Sequence, residues 1–223
     1  MTDNEKLFFS ELINEILNNS ISSKKKLNSL KNELAKKYNL GRIVKNPEII
    51  ANASEDQRAR IVDFLNIKPV RDASGVTVVA LFAKPHKCPH GKCIFCPGGV
   101  ESEFGDTPQS YTGKEPAALR AIRNNYDPYL QIFNRLEHYV VNGKLPDKLE
   151  LIFMGGTFPS LDKKYRDEFV YYTYKAINDF GNEFILVDDK GKKIVDSVKF
   201  NEFFMLDEKF DSPKRVIEIN KMV

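Results

Sequence analysis

Long apolar runs, basic leader segments and internal repeats are all missing from this sequence of 223 residues. No apolar run reaches the roughly 18 residues that a membrane-spanning helix requires. The first residues, MTDNEKLFF, carry acidic groups where a secretory signal peptide carries basic ones. We therefore expect a cytoplasmic protein with no membrane-embedded part.

Cysteine is also scarce, which limits what the thiols can do. The three cysteines, Cys88, Cys93 and Cys96, lie within nine consecutive residues in a C-x4-C-x2-C arrangement. Three thiols cannot all pair in disulfides, and a cytosolic protein keeps its thiols reduced. The arrangement therefore favours metal binding over a disulfide framework.

Composition and charge describe an ordinary folded interior with a basic amino-terminal part. Hydrophobic residues make up 42% and charged residues 29% of the chain, which excludes a disordered or low-complexity protein. The net charge is +3, but residues 20–75 hold 12 Lys or Arg against 6 Asp or Glu. Such a segment suits phosphate backbones, although lysines clustered on a helix are more often its solvated face.

Helical periodicity predicts a small amino-terminal module. Apolar residues recur at helical spacing over residues 5–19 and 23–38, and again at 55–66. Pro69 prevents the third helix from continuing much further. We therefore expect residues 1–70 to form a basic, helical module.

Two strand patterns and two helical patterns follow and predict an α/β fold. VTVVALFA (76–83) is a continuous apolar run and KLELIFM (148–154) is a second short pattern, and both are expected to be buried strands. Helical patterns cover 115–142, where Pro128 should kink or divide the helix, and 162–179. This order of elements predicts parallel strands joined by crossovers.

Residues 71–182 would then supply the first β/α units of a larger domain. Two such units alone expose sheet edges, which an α/β fold normally extends or covers, so the sequence indicates part of a longer fold. Residues 183–223 contain aromatics without a clear period and a VDDKGKK segment that is typical of a turn. We expect weakly packed structure in this extension.

The spacing of the cysteines leaves three interpretations open. A structural zinc ion needs a fourth ligand, which would be His86 or His90. A 4Fe-4S cluster held by three thiolates leaves one iron free for the amino and carboxylate groups of S-adenosylmethionine, whose C–S bond breaks when the sulfonium accepts an electron. Reactive or incidental cysteines are the third interpretation. His138, on a predicted helix, is expected to be a surface or packing residue.

A glycine pair ends the second predicted strand. Gly155, Gly156 and Thr157 follow it directly, and a backbone without side chains there allows close approach of the amino group of a nucleoside ligand. The pair by itself is more typical of a tight strand-to-helix turn. The cysteine loop upstream favours the ligand-binding interpretation.

Three segments resemble one enzyme family closely. They are KPVRDASGVTVVALFAKPHKCPHGKCIFCPGG (68–99), QSYTGKEPAALRAIRNNYDPYLQ (109–131) and DKLELIFMGGTFPSL (147–161). Together they resemble the catalytic subunit of Elongator, a radical S-adenosylmethionine enzyme that modifies wobble uridines in tRNA. The short cysteine spacing is similar to that of archaeal members.

The resemblance implies a fold and a reaction. An amino-terminal helical region would bind tRNA, a partial TIM-like radical S-adenosylmethionine barrel would hold the 4Fe-4S cluster and the cofactor, and an acetyltransferase domain, absent from this sequence, would handle acetyl-CoA. In the family an adenosyl radical takes hydrogen from the methyl group of acetyl-CoA, and the resulting carbon radical attacks C5 of uridine. Hydrolysis then leaves a carboxymethyl group. The remainder of the barrel and the acetyltransferase domain are therefore implied partners.

The resemblance also implies roles for individual residues. Cys88, Cys93 and Cys96 match the cluster ligands, and Lys148 matches a lysine assigned to acetyl-CoA. The S-adenosylmethionine motif corresponds to Gly155, Gly156 and Thr157. Phosphate contacts with tRNA are expected from Lys24, Lys25, Lys26, Lys36, Lys37 and Arg42.

No catalytic side chain is assigned by this comparison. Tyr111, Arg120 and Arg123 lie in the central matching segment and are expected to line the cavity, to meet RNA phosphate or to pack on a helix surface. A different class of function stays open, in which the chain is a non-catalytic tRNA-binding module with a structural zinc or a vestigial cluster site.

Overall fold

Helices and short strands alternate along the described part of the chain. The computed structural model describes residues 2–18, 21, 23–65, 74–189, 191–206 and 213–222, and the expected module boundary at residue 70 lies outside them. None of the helices in these ranges combines the length and the apolar composition that a membrane crossing requires. In chain order the elements are α1 (Asp3–Leu17), α2 (Lys24–Lys37), α3 (Asn46–Ala51), α4 (Glu55–Leu65), β1 (Val76–Phe82), α5 (Pro116–Arg123), α6 (Pro128–Val141), β2 (Lys148–Met154), α7 (Lys163–Phe184), β3 (Ile185–Val187), β4 (Lys193–Val195), α8 (Ser197–Phe203) and α9 (Pro213–Met222).

The amino-terminal helices surround a core of their own. α1 begins at a capping box, in which the Thr2 hydroxyl accepts from the Glu5 N–H and the Glu5 carboxylate accepts from the Thr2 N–H. The Ser23 hydroxyl caps α2 by accepting from the Lys26 N–H. Apolar side chains of α1 to α4 meet in this core: Phe8, Leu12, Ile13, Leu27, Leu34, Ile49, Ile61 and Leu65.

The helices of this module agree with the periodicity of the sequence. α1, α2 and α4 confirm the three expected helices, with ends that differ by one or two residues. The sequence pattern does not predict α3, because six residues with Pro47 in the first turn are too few to show a helical period. The core therefore receives one helix more than expected.

β1 and β2 pair in parallel, as the order of elements predicts. The register aligns Val76 with Lys148 at one end and Phe82 with Met154 at the other. α5 and α6 lie between the two strands in sequence and form their crossover connection. Parallel pairing places the carboxyl ends of both strands at the same edge of the sheet.

The long helix expected over 115–142 is divided at Pro128, as predicted. α5 ends at Arg123, and α6 begins at Pro128 with Asp127 as its cap. Proline suits this first helical position because no N–H is needed there. The division lets α5 and α6 contact β1 separately.

One face of the sheet packs against helices and the other is partly open. The expectation that β2 is a buried strand is wrong, because covered and exposed residues alternate along it. This alternation is typical of a strand with one solvated face. The covered residues of both strands, in a core shared with α6 and α7, are Val79, Leu81, Leu149, Leu151 and Phe153. The exposed residues of β2 are Lys148, Glu150 and Ile152.

The described residues of the last part of the chain include buried aromatics, which differs from the expectation of weak packing for residues 183–223. β3 and β4 form an antiparallel hairpin around the turn predicted at VDDKGKK. Phe200 and Phe204 are buried beside Phe184, with ring centroids 5.5 and 5.3 Å from it. The aromatic residues of this extension therefore complete the core that covers the sheet.

A buried ion pair attaches the final helix to the same core. The Arg215 guanidinium of α9 donates to the Glu137 carboxylate of α6, and both side chains are almost fully buried. Arg215 also donates to the backbone carbonyl of Phe204 at 2.7 Å. α9 is thus held by polar contacts in an apolar setting.

The edge of β1 that faces away from β2 is closed by side chains. Gln131 of α6 binds both backbone groups of Phe82, since its side-chain oxygen accepts from the N–H at 2.9 Å and its amide donates to the carbonyl at 3.0 Å. Arg120 of α5 donates to the Ala80 carbonyl at 3.2 Å, and Tyr139 of α6 donates to the Val78 carbonyl at 3.1 Å. These contacts fix the end of β1 from which the cysteine loop leaves.

Candidate functional site

The loop after β1 carries the three cysteines. The Gly91 N–H donates to the Cys88 carbonyl and the Cys96 N–H donates to the Cys93 carbonyl, both at 3.0 Å, so two turns fold the loop back. Cys88 is buried, Cys96 is half-buried and Cys93 is exposed, and all three thiols are free. The loop therefore offers thiols rather than a disulfide.

Each of the three sulfurs lies beside a side chain that can donate a hydrogen bond. His90 Nε2 is 3.1 Å from Cys93 Sγ. Thr157 Oγ1 donates to Cys88 Sγ at 3.7 Å, although 69 residues separate the two in sequence. Such donors stabilise a thiolate more than a thiol, because the thiolate carries the charge.

Cys96 has the most strongly polar surroundings of the three thiols. Ser110 Oγ is 3.1 Å from Cys96 Sγ. The hydrogen bonds of Ser110 and then Gln109 lower the pKa of the Cys96 thiol below its usual value. Cys93 is exposed, but a partial loss of water contact, followed by the neighbouring Cys96, raises the pKa of its thiol. Of these two thiols, Cys96 therefore forms the thiolate more readily.

The backbone of Ser110 is strained in the conformation that brings its hydroxyl to the sulfur. Its φ is +74°, in the left-handed region that L residues other than glycine avoid. Ser110→Gly and Ser110→Ala both remove the hydroxyl, but only glycine relaxes this φ. We expect the glycine variant to exceed the alanine variant by about 1 kcal/mol in free energy of unfolding, measured in urea. Equal stabilities of the two variants would contradict the strain.

The predicted Gly-Gly-Thr segment lies against the cysteine loop. Gly155 and Gly156 have φ values of +109° and +72°, which only glycine adopts without strain. A Cβ on Gly156 would lie 3.3 Å from Cys88 Sγ and 3.0 Å from the Gln109 Cβ. The structure therefore brings the two predicted motifs together at the carboxyl ends of β1 and β2.

His86 contributes an unpaired nitrogen next to the same glycines. A Cβ on Gly156 would lie 3.4 Å from Cε1 of the His86 ring. Its Nδ1 is 3.2 Å from the Lys84 carbonyl, whereas its Nε2 is buried and has no hydrogen-bond partner among the described residues. Buried polar nitrogens are normally paired, so this atom indicates a missing partner at the site.

Other residues predicted for the site lie elsewhere or serve packing. Lys148 is exposed at the first residue of β2, and a strand of seven residues rises roughly 20 Å to the glycine pair at its other end. Tyr111 packs on the ring of Phe82, with centroids 4.6 Å apart. His138 is exposed on α6, as expected of a surface residue. The structure therefore separates Lys148 from the cysteines.

The basic residues predicted to contact tRNA lie on α2 and in the loop after it. Lys37 forms an ion pair with Glu11 at 2.7 Å. Arg42 contacts two carboxylates, Glu5 at 3.2 Å and Glu48. The charges of these two candidates are therefore already compensated. The other candidates are exposed: Lys24, Lys25, Lys26 and Lys36.

The described side chains do not by themselves form a metal site. Within the described ranges, no three His, Cys, Asp or Glu side chains are arranged to hold a metal ion. What the loop supplies is three free thiols next to a glycine turn and an unpaired histidine nitrogen.

Fold and site together define an α/β protein with a thiol loop at the carboxyl ends of parallel strands, preceded by a helical module. Residues 6–73 match the family model described as the ELP3 N-terminal domain. The chain is 44% identical over 180 residues to a tRNA uridine(34) acetyltransferase of Methanocaldococcus infernus, covering 80% of this chain and 32% of that protein. A protein of the same name from Methanocaldococcus jannaschii is 48% identical over 156 residues, covering 70% and 29%.

A eukaryotic relative gives the same result. Elongator complex protein 3 of Drosophila melanogaster is 42% identical over 178 residues, covering 77% of this chain and 32% of that protein. The chain belongs to the Elongator complex protein 3 family, which confirms the resemblance seen in the sequence. It spans about a third of the length of these relatives.

Proposed function

We propose that this chain is part of a cytoplasmic enzyme that modifies the wobble uridine of tRNA. The names of its relatives, tRNA uridine(34) acetyltransferase and Elongator complex protein 3, support this substrate. The observation that carries the proposal is the meeting of the cysteine loop with the Gly-Gly-Thr turn, two motifs some sixty residues apart in sequence.

The donor set fits a 4Fe-4S cluster. Cys88, Cys93 and Cys96 would hold three of its irons, and the buried, unpaired Nε2 of His86 is suited to a group that fills the space beside Gly156. A cluster spreads its thiolate ligands over separate irons, whereas a zinc ion needs them to converge on one point. When bound, the cluster supplies the electron that cleaves S-adenosylmethionine.

The surrounding side chains would stabilise the negative charge of the ligated sulfurs. His90, Ser110 and Thr157 each place a hydrogen-bonding group within 3.7 Å of a different cysteine sulfur. Gly155 and Gly156 keep the backbone open next to Cys88, where the amino group of S-adenosylmethionine would bind. These residues thus orient the sulfurs and the nucleoside rather than react themselves.

The other parts of the enzyme complete the proposal. The parallel pair of β1 and β2 would begin a partial TIM-like barrel, to which the remaining length of the family contributes later strands and an acetyltransferase domain. Lys148, at the entrance of β2, would meet acetyl-CoA, the proposed carbon donor. The helical module would bind tRNA through its exposed lysines, which are Lys24, Lys25, Lys26 and Lys36.

Anaerobic reconstitution with ferrous iron and sulfide tests the proposal. We expect the chain to turn brown and to retain about four irons and four sulfides, because three thiolates suffice to hold a 4Fe-4S cluster. Cys93→Ala should lose the visible absorption, while Lys92→Ala, an exposed neighbour without a thiol, should keep it. Iron, sulfide and zinc analysis of the purified proteins provides the measurement. One zinc per chain without sulfide would overturn the radical mechanism.

A second function is favoured by the position of His90. Its Nε2 lies 3.1 Å from Cys93 Sγ, so an imidazole is at hand as the fourth ligand of a zinc ion. The chain would then be a non-catalytic tRNA-binding module with a structural zinc. The same metal analysis separates the two functions.

A further inference from the structure

Three arginines of α5 and α6 form a group of positive charges, here called the arginine cluster: Arg120, Arg123 and Arg135. Each donates to a neutral oxygen. Arg120 binds a backbone carbonyl of β1 at 3.2 Å, Arg123 binds the Asn134 side chain at 2.8 Å and Arg135 binds the Tyr139 hydroxyl at 2.7 Å. In the part of the chain that the structure describes, none of the three forms an ion pair with a carboxylate.

The charges of this cluster oppose one another. Burial, followed by the nearby Arg135, lowers the pKa of Arg120 to about 10. The side chain of His138 is partly withdrawn from water, and this withdrawal, followed by the positive charges of all three arginines, lowers its pKa. The Nε atoms of Arg120 and Arg135 are buried and have no hydrogen-bond partner among the described residues. These two Nε donors are therefore left without a partner, whereas Arg123 acts without an ion pair on the Glu137 carboxylate and opposes the rise in its pKa.

Helix electrostatics explain part of this arrangement but not all of it. Arg120 and Arg123 lie in the last turn of α5, where the helix dipole favours cations. Arg135 lies in the middle of α6, where the dipole gives no such stabilisation. The chain does supply a carboxylate where a buried arginine serves structure, since Arg215 is paired with Glu137.

A cleft next to the cluster continues the positive surface onto the helical module. It has a volume of about 540 Å³ and lies between α6 and the segment around α3. Arg123 and His138 line one side, and Lys31 and Lys45 line the other. The carboxylates in the cleft, Glu48 and Glu137, are both engaged by arginines, Arg42 and Arg215.

We propose that the arginine cluster and this cleft bind phosphate groups of an RNA backbone, which deepens the proposed function by placing part of its tRNA site on α5 and α6. Guanidinium groups bind phosphate through paired N–H donors, which suits donors left without a carboxylate. Cationic groups on both sides of a cleft favour a chain of phosphates over a single one. Lys31 of α2 belongs to this site, whereas the exposed lysines of α2 do not line the cleft: Lys24, Lys25, Lys26 and Lys36.

Binding of labelled tRNA at several salt concentrations tests the proposal. The double variant Arg123→Gln, Arg135→Gln is compared with Lys164→Gln, which removes one positive charge from the exposed surface of α7. Fluorescence anisotropy should show weaker binding and a salt dependence reduced by about one unit of slope for each arginine removed. Lys164→Gln should match the unmodified chain.

Thermal unfolding of the RNA-free protein gives a second readout. Because Arg123 is exposed and its hydrogen bond is to the neutral side chain of Asn134, Arg123→Gln should leave the unfolding temperature nearly unchanged, as expected of a residue that serves to bind an anion. A large fall in that temperature, together with unchanged tRNA binding by the double variant, would make the cluster structural and overturn the proposal.

Two further outcomes separate this proposal from the function on which it rests. If the chain assembles the iron-sulfur cluster and the double variant binds tRNA as tightly as the unmodified chain, the proposed function stands and this inference alone is overturned. If the chain fails to assemble the cluster but its tRNA binding depends on the arginines, this inference stands and the radical mechanism is overturned.

Discussion

Arg215→Met is expected to lower the free energy of unfolding by about 3–5 kcal/mol at neutral pH. The substitution leaves the Glu137 carboxylate buried in the core without its cation. A charged group in that position loses its hydration, and of the two arginines that favour its charge only Arg123, which forms no ion pair with it, remains. Urea unfolding monitored by circular dichroism measures the effect.

The loss should depend on pH in a defined direction. Burial already raises the pKa of Glu137 above its ordinary value, and Arg215 opposes that rise. Without Arg215 the folded-state pKa rises further, so folding favours the protonated acid. The stability of the variant is therefore highest below the unfolded-state pKa of about 4.3 and is lost as pH rises through the folded-state value. The difference between the variant and the unmodified chain should shrink as pH falls.

A double variant shows whether the missing partner is the cause. Glu137→Leu combined with Arg215→Met removes both charges and should recover most of the lost stability, because apolar residues replace a buried pair at little cost. A single Arg215→Met variant within about 1 kcal/mol of the unmodified chain, at neutral pH, would contradict the burial of Glu137 as a charged group.

Phe184→Ala is expected to destabilise the protein by about 3–5 kcal/mol, through lost apolar burial and the cavity that remains. The ring is fully buried and lies within 6.4 Å, centroid to centroid, of five other phenylalanine rings. These rings come from α6, α7 and the segment at α8, so one substitution loosens three parts of the core. Thermal and urea unfolding provide the measurement.

The matched control for this prediction lies on the same helix. Tyr174 is 57% exposed on α7, so Tyr174→Ala removes an aromatic ring of similar size that is largely in contact with water. It should cost less than about 1 kcal/mol. Similar losses for the two variants would show that the helix itself, rather than the packing of Phe184, determines the result.

Local patterns in the sequence were sufficient for the parts of the fold that are locally determined. The runs at 76–83 and 148–154 predict β1 and β2 because apolar strand patterns are visible over a few residues. Pro128 predicts the division of the long helix for a steric reason. The packing of Phe200 and Phe204 on Phe184 could not be predicted, because it depends on contacts across the chain rather than on a period.

The site follows the same division between local and distant contacts. The cysteines and the glycine pair stand out by spacing alone, and the structure brings them together. The contact between Ser110 and Cys96, 14 residues apart, could not be predicted, because it requires a positive φ at Ser110 that a serine in the sequence does not indicate. The arginine cluster was visible only as separate residues, because its members come from two helices that meet on β1.

Side chains already bind the backbone groups of β1 on the edge that faces away from β2, so the sheet can be extended by a further strand only on the β2 side. With Gln131, Arg120 and Tyr139 in place, another strand cannot pair on that flank without displacing several contacts at once. In the described part of the chain β2 pairs with β1 alone, so the far side of β2 is the flank on which a further strand can pair. Self-association through β1, the usual hazard of a short sheet, is blocked by the same contacts.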